Sequence, residues 1–205
     1  MKKFWLAACA ALLCSQTPAY AQSARKIQQI EDYLNNIKSL EADFVQTASN
    51  GSSAEGKLFI AKPNKIRMEY APPVSVLIVG DGNYIVYNDK ELDQVTNIDY
   101  DDIPATMILG NNLKIDNKNI KITDYYEDAG TTSVTLDYAN KGDVGPITLI
   151  FSNDPFELKQ WRIIDPQSVE VSVSLYGTQK DAGLDASMFK FRKEKNSPLN
   201  YKKRH

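Results

Sequence analysis

Cysteine is almost missing from this chain. Its two cysteines, Cys9 and Cys14, both lie in the opening stretch MKKFWLAACAALLCSQTPAYAQS, and none follows it in the 205 residues. Lys2 and Lys3 start that stretch, Phe4 to Cys14 form an apolar run, and Ala19-Tyr20-Ala21 supplies a small-x-small cleavage pattern. This is the layout of a secretory signal peptide over residues 1–21, too short to span a bilayer. Leu6-Ala7-Ala8-Cys9 looks like a lipoprotein cleavage box, but cutting there leaves an apolar core of only Phe4 to Ala8. A signal needs roughly 7 to 15 such residues, which excludes lipidation at Cys9. Removing 21 of 205 residues leaves 184 without a cysteine. A disulfide, a thiolate nucleophile and a cysteine metal site are thereby excluded from the exported product.

Histidine is scarcer still. The single one, His205, is the last residue, which excludes a histidine-based triad, a histidine general base and a zinc site. No later stretch approaches the roughly 18 apolar residues of a membrane span. Excess positive charge is also lacking: the formal charge of −2 becomes −4 once Lys2 and Lys3 are removed, so nothing draws the chain to nucleic acid. Gly80-Asp81-Gly82 does not have the spacing of a phosphate loop and reads as a hairpin turn. The adjacent Asp101 and Asp102 read as favourable charge at the start of a helix rather than a proton-sharing pair. No pair of carboxylates stands out for glycoside chemistry. The expectation is a non-enzyme with no cofactor and no metal.

What is present is organised by two periodicities. In SARKIQQIEDYLNNIKSL, from Ser23, Ile27, Ile30, Leu34, Ile37 and Leu40 recur at three and four residues, predicting an amphipathic helix capped by Ser23. Twelve strand-like segments follow, from EADFVQTAS through KLFIA, KIRMEYA and VEVSVSLYG to MFKFRK. They are punctuated by turn signals such as Asn50-Gly51, Asn153-Asp154-Pro155 and Gly177. Pro63 cannot adopt the positive φ of a type I′ turn, so the Lys62–Asn64 connection should be wider than two residues. DDIPATMILGNNL breaks the strand rhythm and predicts a short apolar helix ended by Gly110. The fold class is therefore α+β, a strongly curved antiparallel sheet of about 11 strands with an N-terminal helix and a short apolar one. No linker divides residues 22–205, which read as one domain. KLFIA is apolar on both faces, Leu58 and Ile60 on one and Phe59 and Ala61 on the other, so something must cover each side. Helices laid in the concave side would cover one. The tail KFRKEKNSPLNYKKRH, basic from about residue 192, carries seven Lys or Arg against one Glu. It is a solvated terminus or a contact for anionic headgroups or an acidic partner.

Several landmarks together resemble the periplasmic outer-membrane-lipoprotein carrier family, LolA. Phe44-Val45-Gln46 after the helix is similar to its F-x-Q strand, and Gly56 with Lys62-Pro63-Asn64-Lys65-Ile66-Arg67-Met68-Glu69-Tyr70 to its glycine and R/K-P-x-x-hydrophobic-R run. Ile78-Val79-Gly80-Asp81-Gly82 with Tyr87-Asn88, the proline-led Pro104 to Leu109, and Asp185 to Phe191 are similar to three further signatures. The resemblance implies an incomplete β-barrel closed by a helical lid over a hydrophobic cavity for acyl chains. It implies a periplasmic chaperone, expected to be monomeric, that takes acylated lipoproteins from an inner-membrane ABC transporter and delivers them to the outer membrane, where a receptor is a possible partner. A carrier of another lipid or glycolipid, or a periplasmic sensor, would share the fold. On this resemblance the acyl-lining residues are Phe44, Leu58, Ile60, Ile66, Met68, Leu77, Val79, Trp161 and Ile163, with Met107, Ile108 and Leu109 from the lid. Lys62 stands where the family more often has an arginine that holds the lid. The expectation is that it latches the lid through carbonyls near Leu109 to Asn111, as a cation beside a helix end. Ile66 and Met68 replace the commoner phenylalanine and tryptophan, and the family's P-x-G-V stretch after Phe191 is missing.

Overall fold

The computed structural model describes residues 19–193 apart from 143 and 166. Residues 1–18 of the expected signal peptide and 194–205 of the basic tail lie outside the described residues. Helix α1 spans Ala19–Asn36. It begins before Ser23, which therefore sits inside the helix instead of capping it. It also stops short of Ile37 and Leu40, which are buried but belong to the connection and the first strand.

Eleven strands form one antiparallel sheet. They are β1 (Ser39–Ala48), β2 (Ser53–Ala61), β3 (Lys65–Tyr70), β4 (Val76–Gly80), β5 (Tyr84–Asp89), β6 (Gln94–Asp99), β7 (Ile120–Glu127), β8 (Thr131–Tyr138), β9 (Ile147–Asn153), β10 (Phe156–Ile164) and β11 (Glu170–Lys180). Their order is β6-β5-β4-β3-β2-β1-β11-β10-β9-β8-β7. Consecutive strands pair from β1 to β6 and from β7 to β11, and β1 also pairs with β11, which joins the two runs. The sheet is open: β6 and β7 are consecutive in the chain yet lie at opposite edges. The segment between them, residues 100–119, holds the 3-10 turns Tyr100–Asp102 and Pro104–Leu109. The short apolar helix expected here is thus a pair of tight turns. Gly110 follows with φ −67, so it ends the turn without using glycine's left-handed region.

Two other local expectations give way to packing. Gly177 is not a turn but lies inside β11 at φ +58. The register there slips, with Asp43 opposite Tyr176 and Glu41 opposite Gln179, which is a β-bulge that only needs one residue tolerant of positive φ. MFKFRK is not a twelfth strand: Ala186–Phe189 is a 3-10 turn, with Asp185 Oδ1 accepting from the Ser187 amide at 2.7 Å.

This segment answers the two-faced strand. The pairing Leu58↔Met68 and Ile60↔Ile66 puts these four residues on the inner face with Leu40, Ala42 and Phe44. α1 contributes Ile30 and Leu34 to the same cluster. Phe59 points the other way, paired with Arg67, which pairs with Val79 and through it reaches Val86. Arg67 donates from its guanidinium to the Met188 carbonyl at 2.9 Å. That bond lays the Ala186–Phe189 turn over the outer face, where Phe189 is only 1% exposed. Two layers of side chains thus sandwich this half of the sheet.

Candidate functional site

The inner face of the sheet is a continuous apolar trough. Register alone sets which predicted residues enter it. Phe44, Leu58, Ile60, Ile66 and Met68 line it, joined by Trp161 and Ile163, which pair with Val173 and Val171 on the far side of β1. Leu77 and Val79 do not. They pair with Glu69 and Arg67 respectively, so Ile78 faces the trough and they face outward. Leu77 instead borders an outer pocket of about 310 Å³ beside Arg67, Lys90 and Lys190, and Val79 packs toward Phe189. A one-residue misjudgement of phase moves a side chain through the sheet.

Glycine shapes the trough at Gly56. A Cβ there would overlap the Glu69 carbonyl of β3 and stand 2.9 Å from Phe44 Cε1. The bare position lets the Phe44 ring settle across the strand, edge-on to Tyr70 at 5.1 Å between centroids. The Tyr70 hydroxyl donates to Gln46 Oε1 at 2.7 Å, and burial pushes its phenol up to about 12.

The lid fills the trough. Pro104, Met107, Ile108 and Leu109 are buried, Leu109 to 1% exposure, and the last three belong to the same cluster as Leu58, Ile66 and Met68. Three sets of polar contacts hold it. The β2–β3 turn is the first. The Asn64 amide donates to the Leu109 carbonyl at 2.9 Å, and the Tyr100 hydroxyl donates to the Asn64 carbonyl. The Tyr100 ring lies against Gly80, where a Cβ would collide with its hydroxyl, and burial raises its phenol to about 12. The second set is inside the lid: Thr106 Oγ1 donates to the Tyr100 and Ile103 carbonyls, each at 2.7 Å. The third anchors the chain just after the lid to α1. Asn35 donates to the Leu113 carbonyl at 2.9 Å and accepts from its amide at 2.7 Å. One helical turn earlier Glu31, 5% exposed, accepts from the Ile115 amide and the Lys114 ammonium, both at 2.7 Å.

Lys62 reaches a different element from the one expected. Its ammonium donates to the Leu34 carbonyl of α1 at 2.7 Å, within the last turn of that helix, and its amide donates to the Lys38 carbonyl at 2.8 Å. The cation still meets a helix end, but it is the end of α1. Burial lowers its pKa to about 8. The Lys62–Asn64 turn, three residues between β2 and β3, is therefore the common tie of both covering elements. Lysine 62 holds α1 and asparagine 64 holds the lid. Asn64, at φ 56, and Tyr100 were not singled out from sequence. A left-handed Asn after Lys62-Pro63 was the available signal for the first, whereas nothing local marked Tyr100, Glu31 or Asn35.

No helix among the described residues is long and apolar enough to cross a membrane. The chemistry on offer is apolar burial under a short covering turn. The chain is similar to several known proteins. A protein of Dechloromonas aromatica described as an outer-membrane lipoprotein carrier protein is 31% identical over 93% of this chain and 92% of its own. An uncharacterised protein of Rickettsia prowazekii is 25% identical over 94% of this chain and 88% of its own. The crystal structure of a DUF1329 family protein from Desulfovibrio piger superposes with TM-score 0.52 at 10% identity, over 82% of this chain and 96% of that one, a likeness of fold alone. A family model for the outer membrane lipoprotein carrier protein LolA matches residues 35–192, from the end of α1 to the outer-face turn, and the chain belongs to that family.

Proposed function

We propose that this chain is a periplasmic lipoprotein carrier that buries acyl chains against the inner face of its open sheet. The signal-peptide pattern of residues 1–21 supports export. The proposed route runs from an inner-membrane ABC transporter to the outer membrane, and the proposed task is transport, not catalysis. Three acyl chains hold on the order of 45 methylenes, and at about 0.8 kcal/mol each their exposure costs roughly 36 kcal/mol. Free diffusion of such a cargo is excluded, so a carrier has to hide most of that surface and later release it.

The observation that carries this reading is the lid. Met107, Ile108 and Leu109 occupy an apolar trough yet belong to one short 3-10 turn. Withdrawing them leaves a surface lined by Phe44, Leu58, Ile60, Ile66, Met68, Trp161 and Ile163. Methionine and isoleucine there suit tails that pack irregularly.

The test is to purify the exported chain from a periplasm and identify what leaves with it by mass spectrometry. Acyl-modified proteins are expected, and their yield should drop when Met107 or Leu109 is replaced by aspartate. Recovery of glycolipids without lipoproteins would redirect the reading to another lipid, and an empty protein under all conditions would overturn it.

A further inference from the structure

The open sheet has two free edges, and they differ. β7 carries Lys121, Asp124 and Glu127, and a bulge interrupts its pairing between Ile122 and Asp124. Charge and bulging are the devices that keep an edge from accepting another strand. β6 has neither over most of its length. All six residues pair with β5 without a break, from Tyr84↔Asp99 to Asp89↔Gln94, and no charge precedes Asp99. Gln94, Val95, Thr96, Asn97 and Asp99 are exposed, so polar side chains stand on both faces. Among the described residues no strand lies on its outer edge. β6 also runs straight into Tyr100 and the lid, and residues 100–119 connect it to β7 at the opposite end of the strand order. A peptide whose acyl chains lie under the lid would emerge close to the strand that leads into it.

The geometry points to β6 as the docking edge for the extended peptide that follows the acylated residue of a cargo, added as a further antiparallel strand; this rests on the carrier reading above. Main-chain pairing reads no side chains, which suits a carrier of many different proteins. Five residues of added strand span about 17 Å, and the polar flanks of β6 match a peptide that must stay solvated. The added strand would also brace the residue that leads into Tyr100, tying cargo docking to the lid.

The test uses the exported chain, which has no cysteine after residue 14, with one cysteine introduced as Thr96→Cys, Asn97→Cys or, on the other edge, Tyr126→Cys. The probe is a synthetic peptide with a triacylated N-terminal cysteine and a ten-residue Ser/Thr/Gln stretch carrying one free cysteine at successive positions, so that a mild oxidant joins the two thiols as a disulfide only where they are neighbours. Thr96 and Asn97 face opposite sides of the sheet, so cross-linking should alternate along the probe with opposite phase for these two, at several-fold higher yield than for Tyr126→Cys. If the probe is held in solution but cross-links without alternation, or no better at β6 than at β7, docking at β6 is overturned and the carrier reading stands. If the probe is not held in solution at all, both fall.

Discussion

Replacing Tyr100 by phenylalanine isolates what holds the lid. The ring is retained, so the surface over Gly80 stays filled, and only the hydroxyl is lost. With it go the bond donated to the Asn64 carbonyl and the one accepted from the Gly82 amide at 3.3 Å. The Asn64–Leu109 bond at 2.9 Å remains, as do the apolar contacts of Met107, Ile108 and Leu109. A half-buried hydrogen bond contributes about 0.5–1.5 kcal/mol, and leaving its partners unmet costs somewhat more. The closed lid should therefore lose about 1–2 kcal/mol relative to the open one, raising the open population roughly 5- to 30-fold. Native-state amide exchange read by mass spectrometry measures this directly. Peptides spanning residues 100–115 should exchange faster by that factor in Tyr100→Phe. Peptides from β8 and β9, where Val134, Leu136, Ile147 and Leu149 are fully buried, should not change. Equal acceleration everywhere would mean that Tyr100 supports the whole fold and not the lid, and no acceleration would mean that the turn does not hold it. Either result refutes the reasoning.

Two further outcomes follow from the same contacts. The Lys62 pKa of about 8 lies below the roughly 10.4 of a free lysine, so the unfolded chain binds this proton more tightly and stability should rise between pH 8 and 10.4. Urea unfolding should show this rise, about 1–2 kcal/mol after allowance for solvent contact, in the wild type but not in Lys62→Met; parallel pH profiles would remove Lys62 from the account. Gly56→Ala should lower stability by at least about 2 kcal/mol because the new methyl meets backbone and the Phe44 ring, whereas Gly110→Ala, with nothing within 4 Å, should stay within about 0.5 kcal/mol.

Much of the architecture was legible because the period-two pattern of the strands and the turn residues between them state the same thing. All eleven strands were placed, and Met107, Ile108 and Leu109 stood out as an apolar interruption. What failed was phase and partner. VLIVG is apolar at four successive positions, so nothing local told Ile78 from Leu77 and Val79. Only the cross-strand register with Arg67 and Met68 decides it. MFKFRK alternates like a strand, yet Asp185 caps a turn and Arg67, over a hundred residues away, holds it. Lys62 is expected from sequence to reach lid carbonyls near Leu109 to Asn111, and its ammonium instead meets the Leu34 carbonyl at the end of α1. Which helix it serves depends on where α1 stops, and helix ends are the least legible feature of a sequence. Asn35 and Glu31 lay in a predicted helix as ordinary polar residues, and their loop partners could not be paired without the fold.

The filled trough bears on how a carrier can let go. An apolar groove left open to water would cost the chain stability and invite aggregation, so in the proposed carrier the lid would act as a resident substitute for the cargo. Three side chains buried at about 1.5–3 kcal/mol each mean that opening exposes roughly 5–9 kcal/mol of apolar surface, besides the few hydrogen bonds at Asn64 and Tyr100. Acyl chains that took their place would restore that burial, so the proposed loading would exchange one apolar filling for another. Only the excess of acyl burial over lid burial favours the loaded state, and a receiving site that offers similar burial can tip the balance back. The division of labour in the fold fits this. The sheet is tied strand to strand through all eleven members, while the cover is a six-residue 3-10 turn with poorer hydrogen-bond geometry than an α-helix. A short 3-10 turn held by a few hydrogen bonds costs less to open than a strand paired along its length.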